Sequence, residues 1–222
     1  MTAMQENSPV RTRRSPKGEA RRTAIVASAT RLFAQGGLDS VSLTDIAEDV
    51  GITKAGLLHH FPTKNDLLLG VLRKRDRVGE VELPDDPVEA LMGFIDVLRA
   101  NEADPSEMQF FAMMSTQSIA TDHPAHGHFQ QRQAMMRDGM TAMLAELFDE
   151  SRLAGQTQLS DVADWIVALA DGLRNEWLRA PDRINRTESL FRFLESMADA
   201  MHNDVRTRLV EQIAQRRSAG VA

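Results

Sequence analysis

Between Ser42 and Pro62 the sequence starts and stops a helix twice, and this tight punctuation limits the local fold more than any other feature of the chain. Ser42 is a helix-capping residue, and Asp45 three positions on can answer it as the acidic member of a capping box. Ile46, Ala47 and Val50 supply one buried face. Gly51 closes the segment, because glycine enters a left-handed turn without a Cβ penalty. Thr53 suits a second N-cap, and Leu57 and Phe61 turn inward before Pro62 ends the helix. Two short helices joined at a glycine, with the small Ala47 where they cross, make a helix-turn-helix.

The flanks extend this unit. Ile25, Ala29, Leu32 and Phe33 share a helical face that stops at Gly36-Gly37. Thr63, answered by Asp66, opens a fourth helix that carries Leu67, Leu68, Val71 and Leu72 past Arg75. Strand signals are sparse, with no tyrosine and few β-branched residues in alternation. Around Leu83-Pro84-Asp85-Asp86-Pro87 the chain turns acidic and methionine-rich, which marks a domain boundary. Asp86-Pro87 and Asp104-Pro105 each read as an N-cap followed by proline at the first helical position. The helices they open bury Leu91, Phe94, Ile95 and Leu98, then Phe110, Phe111 and Met114. After a loop from Asp122 to Gly127, one long helix places Phe129, Met136, Met140, Leu144 and Phe148 inward until Gly155. Two strongly amphipathic helices follow, one with Val162, Trp165, Ile166, Leu169, Leu173 and Trp177, the other with Leu190, Leu194, Met197, Met201 and Val205. The expected fold is all-α: a basic arm over 1–16, a head of three to four helices over 17–75, a larger helical domain over 76–217, and a tail over 218–222.

Charge separates the two parts. Residues 1–75 hold 12 Lys and Arg against 7 Asp and Glu, whereas the remainder holds 14 against 25 within an overall −6. A basic head can face phosphate while an acidic body stays clear of it. With no cysteine there is no disulfide and no thiolate chemistry, which fits a cytoplasmic protein. No apolar run approaches the ~18 residues a membrane span requires, and Met1 to Pro9 lack a secretory h-region. No cofactor motif is present.

The helix-turn-helix seats its second helix in a major groove while the first braces the backbone. The outer face of that second helix carries Lys54, Ala55, Gly56, Leu58 and His59. Small residues permit close approach to base edges, Lys54 can donate to guanine or phosphate, and His59 to phosphate. Ser42, Thr44, Thr53 and His60 complete the candidate DNA-facing set on these two helices, and Arg13, Arg14 and Lys17 form a candidate DNA-tracking arm.

Together these residues carry a resemblance to a known family. Ile25, Ala29, Leu32-Phe33 and Gly37, then Ser42 to Ala47, Gly51 to Lys54, Leu57 to Phe61 and Lys64 to Leu68, resemble the TetR family of ligand-responsive regulators. Leu58 stands where the family commonly has a phosphate-contacting tyrosine, and Ala55 where glycine is frequent. Asp171-Gly172-Leu173 through Trp177-Leu178 is similar to a stretch on the penultimate helix of many members. The resemblance implies about nine helices, a homodimer held through the last two helices, a palindromic double-stranded DNA operator, and repression relieved by a small-molecule effector in the C-terminal domain. It also implies that Lys64, at the start of the fourth helix, meets a phosphate.

Candidate effector-lining residues are Phe94, Phe110, Phe111, Met113 and Met114, with Phe129, Met136 and Trp177, because methionine and phenylalanine suit adaptable apolar pockets. For these apolar residues plain core packing is the alternative, whereas Arg174 and Asn175 could serve as polar anchors or face solvent or a dimer partner. Two alternatives stand beside this reading. One is a metal-dependent hydrolase built on His123, His126 and His128, and the other a helical protein-interaction module.

Overall fold

The computed structural model describes residues 16–78 and 84–220, so Arg13 and Arg14 of the expected arm lie outside the described residues. The chain divides into two compact units, one ending at Leu67 and the other beginning at Leu68. As the sequence indicates, the architecture is all-α.

The first unit contains α1 (Pro16–Gly36), α2 (Leu43–Asp49), α3 (Lys54–His60) and the first turn of α4 (Lys64–Val78). From α1, Ile25, Ala29 and Phe33 are fully buried; α2 adds Ile46 and Ala47, and α3 adds Leu57. Complete burial of each large apolar side chain contributes about 1.5–3 kcal/mol. Gly37 (φ 81°) and Gly51 (φ 68°) both occupy the left-handed region, so the two glycine stops are conformational requirements.

Asp49, at the end of α2, ties this helix back to α1. Its carboxylate accepts from the buried Ser28 hydroxyl at 2.5 Å and from the Arg31 guanidinium at 2.5 Å. The Ser28 hydrogen bond first, and then Arg31, hold the Asp49 carboxyl below its ordinary range. A depressed carboxyl stabilises the fold fully above the unfolded value of about 3.9, and that stability is lost as pH falls through the folded value. The unfolding temperature should therefore drop once pH falls below about 4. Asp49→Asn should lessen that drop when unfolding is followed by circular dichroism; an unaltered pH profile would show that these bonds do not couple to folding.

The second unit holds the rest of α4 with α5 (Pro87–Ala100), α6 (Pro105–Gln117), α7 (His126–Ala145), α8 (Leu159–Arg179), α9 (Arg186–Ser196) and α10 (Asn203–Ala219). Asp86 accepts from the Val88 and Glu89 amides, and Asp104 from the Glu107 amide, so both Asp-Pro pairs start helices as expected. The core runs through Leu91 and Ile95 of α5, Leu144 of α7, Ile166 of α8, Leu190 of α9 and Leu209 of α10. Arg186 is buried within it, donating to the Leu98 carbonyl at 3.2 Å and to Glu102 at 3.1 Å.

Three segments depart from the periodicity reading. The helix expected to run through Met197, Met201 and Val205 is interrupted: Ala198–Ala200 is a single 3₁₀ turn, Met201 is extended, and α10 begins at Asn203. The cause is an isolated antiparallel bridge between Phe148 and Met201, in which the Asp149 amide donates to Ala200 (2.9 Å) and the His202 amide to Leu147 (3.1 Å). This break raises the count to ten α-helices among the described residues. For the same reason α7 stops at Ala145, and Leu147 and Phe148 are buried outside it. Thirdly, Trp165 is turned outward, 47% exposed, while Val162 and Ile166 beside it are buried.

Candidate nucleic-acid interface

Local capping builds the interface. Ser42 and Asp45 exchange both bonds of a capping box, at 2.8 and 3.1 Å. Thr53 accepts from the Gly56 amide at 3.1 Å, and Thr63 and Asp66 repeat the reciprocal pair at the head of α4. The Ser42 and Thr53 hydroxyl oxygens act as acceptors here, which leaves each a proton to donate to a phosphate. The turn closes with the Ile52 amide on the Ala47 carbonyl at 2.9 Å.

Leu57 and Phe61 point into the unit's core, and this orients the rest of α3. Thr53, Lys54, Ala55 and His59 are exposed, whereas Gly56, Leu58 and His60 are half-buried. On α2, Ser42 and Thr44 are exposed. Lys17 is exposed on the first turn of α1. The half-buried Lys64 reaches the Asp39 carbonyl at 3.5 Å, a long contact that leaves most of its ammonium capacity unused.

Two adjacent arginines on α1, Arg21 and Arg22, have a structural task. Arg21 donates to the Val50 carbonyl at the end of α2, and Arg22 to the His60 carbonyl at the end of α3 (3.0 Å). Each places a cation at a helix C-terminus, where the macrodipole is negative. The Arg22 guanidinium also covers the Phe61 ring at 4.0 Å. The clue in the sequence was their adjacency on α1, but their targets lie 29 and 38 residues away.

A second feature lies wholly within the C-terminal unit. An open cavity of about 320 Å³ lies among the end of α6, the first half of α7 and the C-terminal half of α8. Of the expected effector-lining residues it brings together Phe129, Arg174 and Asn175. Phe110, Phe111 and Met114 are core residues, Met113 is 45% exposed, and Met136 and Trp177 are half-buried away from the cavity. Phe94 lines a narrow apolar cleft with Leu91 and Phe193 that has no room for a water molecule. Sequence reasoning missed the hydroxyl and amide lining, including Ser115, Thr116, Gln130 and Gln133, because polar residues at those spacings read as solvent face.

Behind the cavity wall, Arg75, Arg132 and Arg174 surround the Phe111 ring at 4.5, 5.1 and 5.9 Å. Burial lowers the Arg75 pKa, Glu107 partly restores it, and the nearby Arg132 and Arg174 charges lower it again. Asp76 receives Arg132 at 3.0 Å, with His128 Nε2 at 3.1 Å but off the line of a good hydrogen bond. Burial pushes the Asp76 carboxyl up, yet His128 and Arg132 outweigh it and hold it below the usual range.

The three histidines do not converge. His126 Nδ1 lies 2.8 Å from the Ser118 carbonyl, His128 faces Asp76, and His123 Nδ1 accepts from the Ala125 amide. Nor are they in one loop, since α7 begins at His126. Among the described residues no group of three His, Asp or Glu is placed to hold a metal ion. The hydrolase alternative gains no support from this geometry.

Residues 25–71 match the model of the bacterial regulatory proteins of the tetR family. The chain is 25% identical over 201 residues to the HTH-type transcriptional regulator TtgR of Pseudomonas putida, covering 85% of this chain and 95% of the relative. It is 39% identical over 62 residues to the regulator RutR of Escherichia coli, covering 28% of this chain and 29% of the relative. Its fold is shared with NalD, the secondary repressor of the MexAB-OprM multidrug efflux pump in Pseudomonas aeruginosa. That likeness has a TM-score of 0.61 at 23% identity, and spans 86% of this chain and all of that one. No described helix is long and apolar enough to cross a membrane.

Proposed function

We propose that this chain, a DNA-binding transcription regulator of the TetR family, is a repressor that leaves a palindromic operator when a small molecule enters its C-terminal unit. The observation that carries the reading is the outward face of α3. Lys54, Ala55 and His59 stand exposed on a helix anchored from behind by Leu57, which leaves donors and small side chains to meet base edges and phosphate. Lys17, Ser42, Thr44, Thr53 and Lys64 add phosphate contacts around it, with Arg13 and Arg14 as an arm. The cavity among α6, α7 and α8 is the effector site.

Two copies reading two half-sites account for a palindrome. The pairing surface we assign is the outer face of α8, with α10 beside it in the dimer. Trp165 and Val210 are exposed large apolar residues there, of the kind that marks association surfaces. Working on operator DNA, the protein acts in the cytoplasm.

Selection from random double-stranded DNA at about 0.15 M salt should recover a palindrome. Failure to enrich any sequence would remove the regulator reading and favour an interaction module. Lys64→Ala should weaken binding to all sequences and reduce the salt slope by about one ion, because a phosphate contact releases a counterion. An unchanged slope in filter-binding titrations would move Lys64 off the DNA.

A further inference from the structure

The wall of the C-terminal cavity contains a guanidinium short of acceptors. The Arg174 side chain is only 10% exposed, so water does not solvate it fully. A guanidinium has five N–H donors. Arg174 donates one at 2.8 Å to Asp171 and a long one at 3.5 Å to Asn175, and its buried Nε has no partner. Unmet buried donors are costly, and more so on a charged group. Asp171 is in the opposite condition: its side chain is 40% exposed and water can take over its share of the pair.

That asymmetry decides which charge a ligand should bring. An anion entering the cavity offers a desolvated guanidinium the acceptors it lacks, and Asp171 can swing into water as it yields. A cation would have to draw Asp171 from both water and Arg174 while approaching Arg75 and Arg132, which share the Phe111 ring with Arg174. The rest of the lining mixes hydrogen-bonding side chains, among them Thr116, Gln130 and Gln133, with the apolar Ile119 and Phe129. This surface does not suit a wholly lipophilic molecule.

We propose that the cavity takes a small carboxylate-bearing molecule, its carboxylate paired with the Arg174 guanidinium in place of Asp171 and its remaining polar groups on the amide and hydroxyl side chains of the lining. The proposal rests on the reading of this unit as the effector-binding part. A bidentate carboxylate is the acceptor whose geometry matches the guanidinium fork.

The test uses the full chain and a panel of hydroxylated aromatic and aliphatic monocarboxylates, each paired with its primary amide, alongside the lipophilic cation tetraphenylphosphonium. Each is added at about 10 mM while thermal unfolding is followed, since a ligand of the folded state raises the midpoint. At least one carboxylate should raise it where its amide does not. In titration calorimetry with that carboxylate, Asp171→Asn should tighten binding about threefold or more by removing a competing anion. Arg174→Lys should weaken it about tenfold or more, because lysine keeps the charge and loses the fork. Stabilisation by tetraphenylphosphonium alone, no response to any carboxylate, or weaker carboxylate binding by Asp171→Asn would each overturn the proposal. Release of selected operator DNA is scored separately. A carboxylate that binds through Arg174 and leaves DNA bound upholds the site and defeats the effector reading. An effector that frees the DNA equally well from Arg174→Lys upholds that reading and overturns this proposal.

Discussion

Trp165→Glu should convert a dimer into monomers in sedimentation and, in the same sample, weaken operator binding by about a hundredfold or more. The physical argument begins on α8. Val162, Ile166 and Ala170 fill the core from one face of that helix, while Trp165, Ala168 and Gly172 lie exposed on another. An indole left 47% exposed, followed one and two turns later on the same face by the small Ala168 and Gly172, presents a large apolar area to solvent. Trp is among the residues that most often dominate association energy when a partner covers them. In the proposed dimer, a carboxylate in its place would be buried without a partner within a self-complementary contact, and it would occur twice because each copy presents the same patch. Operator affinity follows, because a second head tethered by the first binds at high effective concentration, and the linkage is worth a factor of about 10²–10⁴. Helical content should be unchanged. A dimeric Trp165→Glu protein would place the pairing surface elsewhere.

The head was legible because its signals are local. Each cap in the pairs Ser42/Asp45 and Thr63/Asp66 reaches only three residues, and Gly51 records its backbone conformation in its own identity. The body was legible in class and less so in register. Met197, Met201 and Val205 continue a helical spacing without fault, yet the backbone leaves the helix because Ala200 and His202 bond to residues about fifty positions earlier. Nothing within one helical turn of Met201 encodes that partner. Trp165 shows a second limit. A helix that is apolar on more than one side satisfies the same periodicity whichever side is inside, so the outward side emerges only once the neighbouring helices are in place.

The two candidate sites differ in the same way. The candidate DNA-facing residues of α3 are what remains after Leu57 and Phe61 are assigned to the core, a subtraction the sequence permits. The cavity gathers Thr116, Gln130 and Asp171 from three helices, and its lining mixes polar with apolar groups where an apolar pocket was expected. Polar positions on amphipathic helices read as solvent-facing by default, so only their meeting in space reveals them. Arg174 and Asn175 were the exceptions, named from the sequence as possible polar anchors, although only the fold shows Arg174 buried one turn past Ala170 with Asp171 as its partner.

Leu57→Ala should abolish operator binding while leaving the C-terminal unit able to bind its ligand. Leu57 is fully buried in a unit whose core draws on α1, two seven-residue helices and the first turn of α4, and it alone anchors the middle of α3. Truncating such a leucine costs about 3–5 kcal/mol, the loss of transfer energy plus the cavity left behind. A head of about sixty residues has little stability to lose, as a domain of that size buries only about 60% of its unfolded surface. The seven-residue α3 cannot persist without packing, because an isolated helix shorter than about twelve residues is marginal in water. Its unfolding removes the proposed contacts of Lys54 and His59 together, so selective loss of one base contact is not expected. The alternative cause of lost binding, a broken dimer, is excluded by the same sedimentation measurement that tests Trp165, which should report an intact dimer for Leu57→Ala. Leu57→Met keeps the volume and should retain binding within about tenfold, since volume-conserving apolar exchanges usually cost less than about 1.5 kcal/mol. Equal loss in both variants would mean that the side chain acts at the DNA and not through the core, which would reverse the assignment of the inner and outer faces of α3.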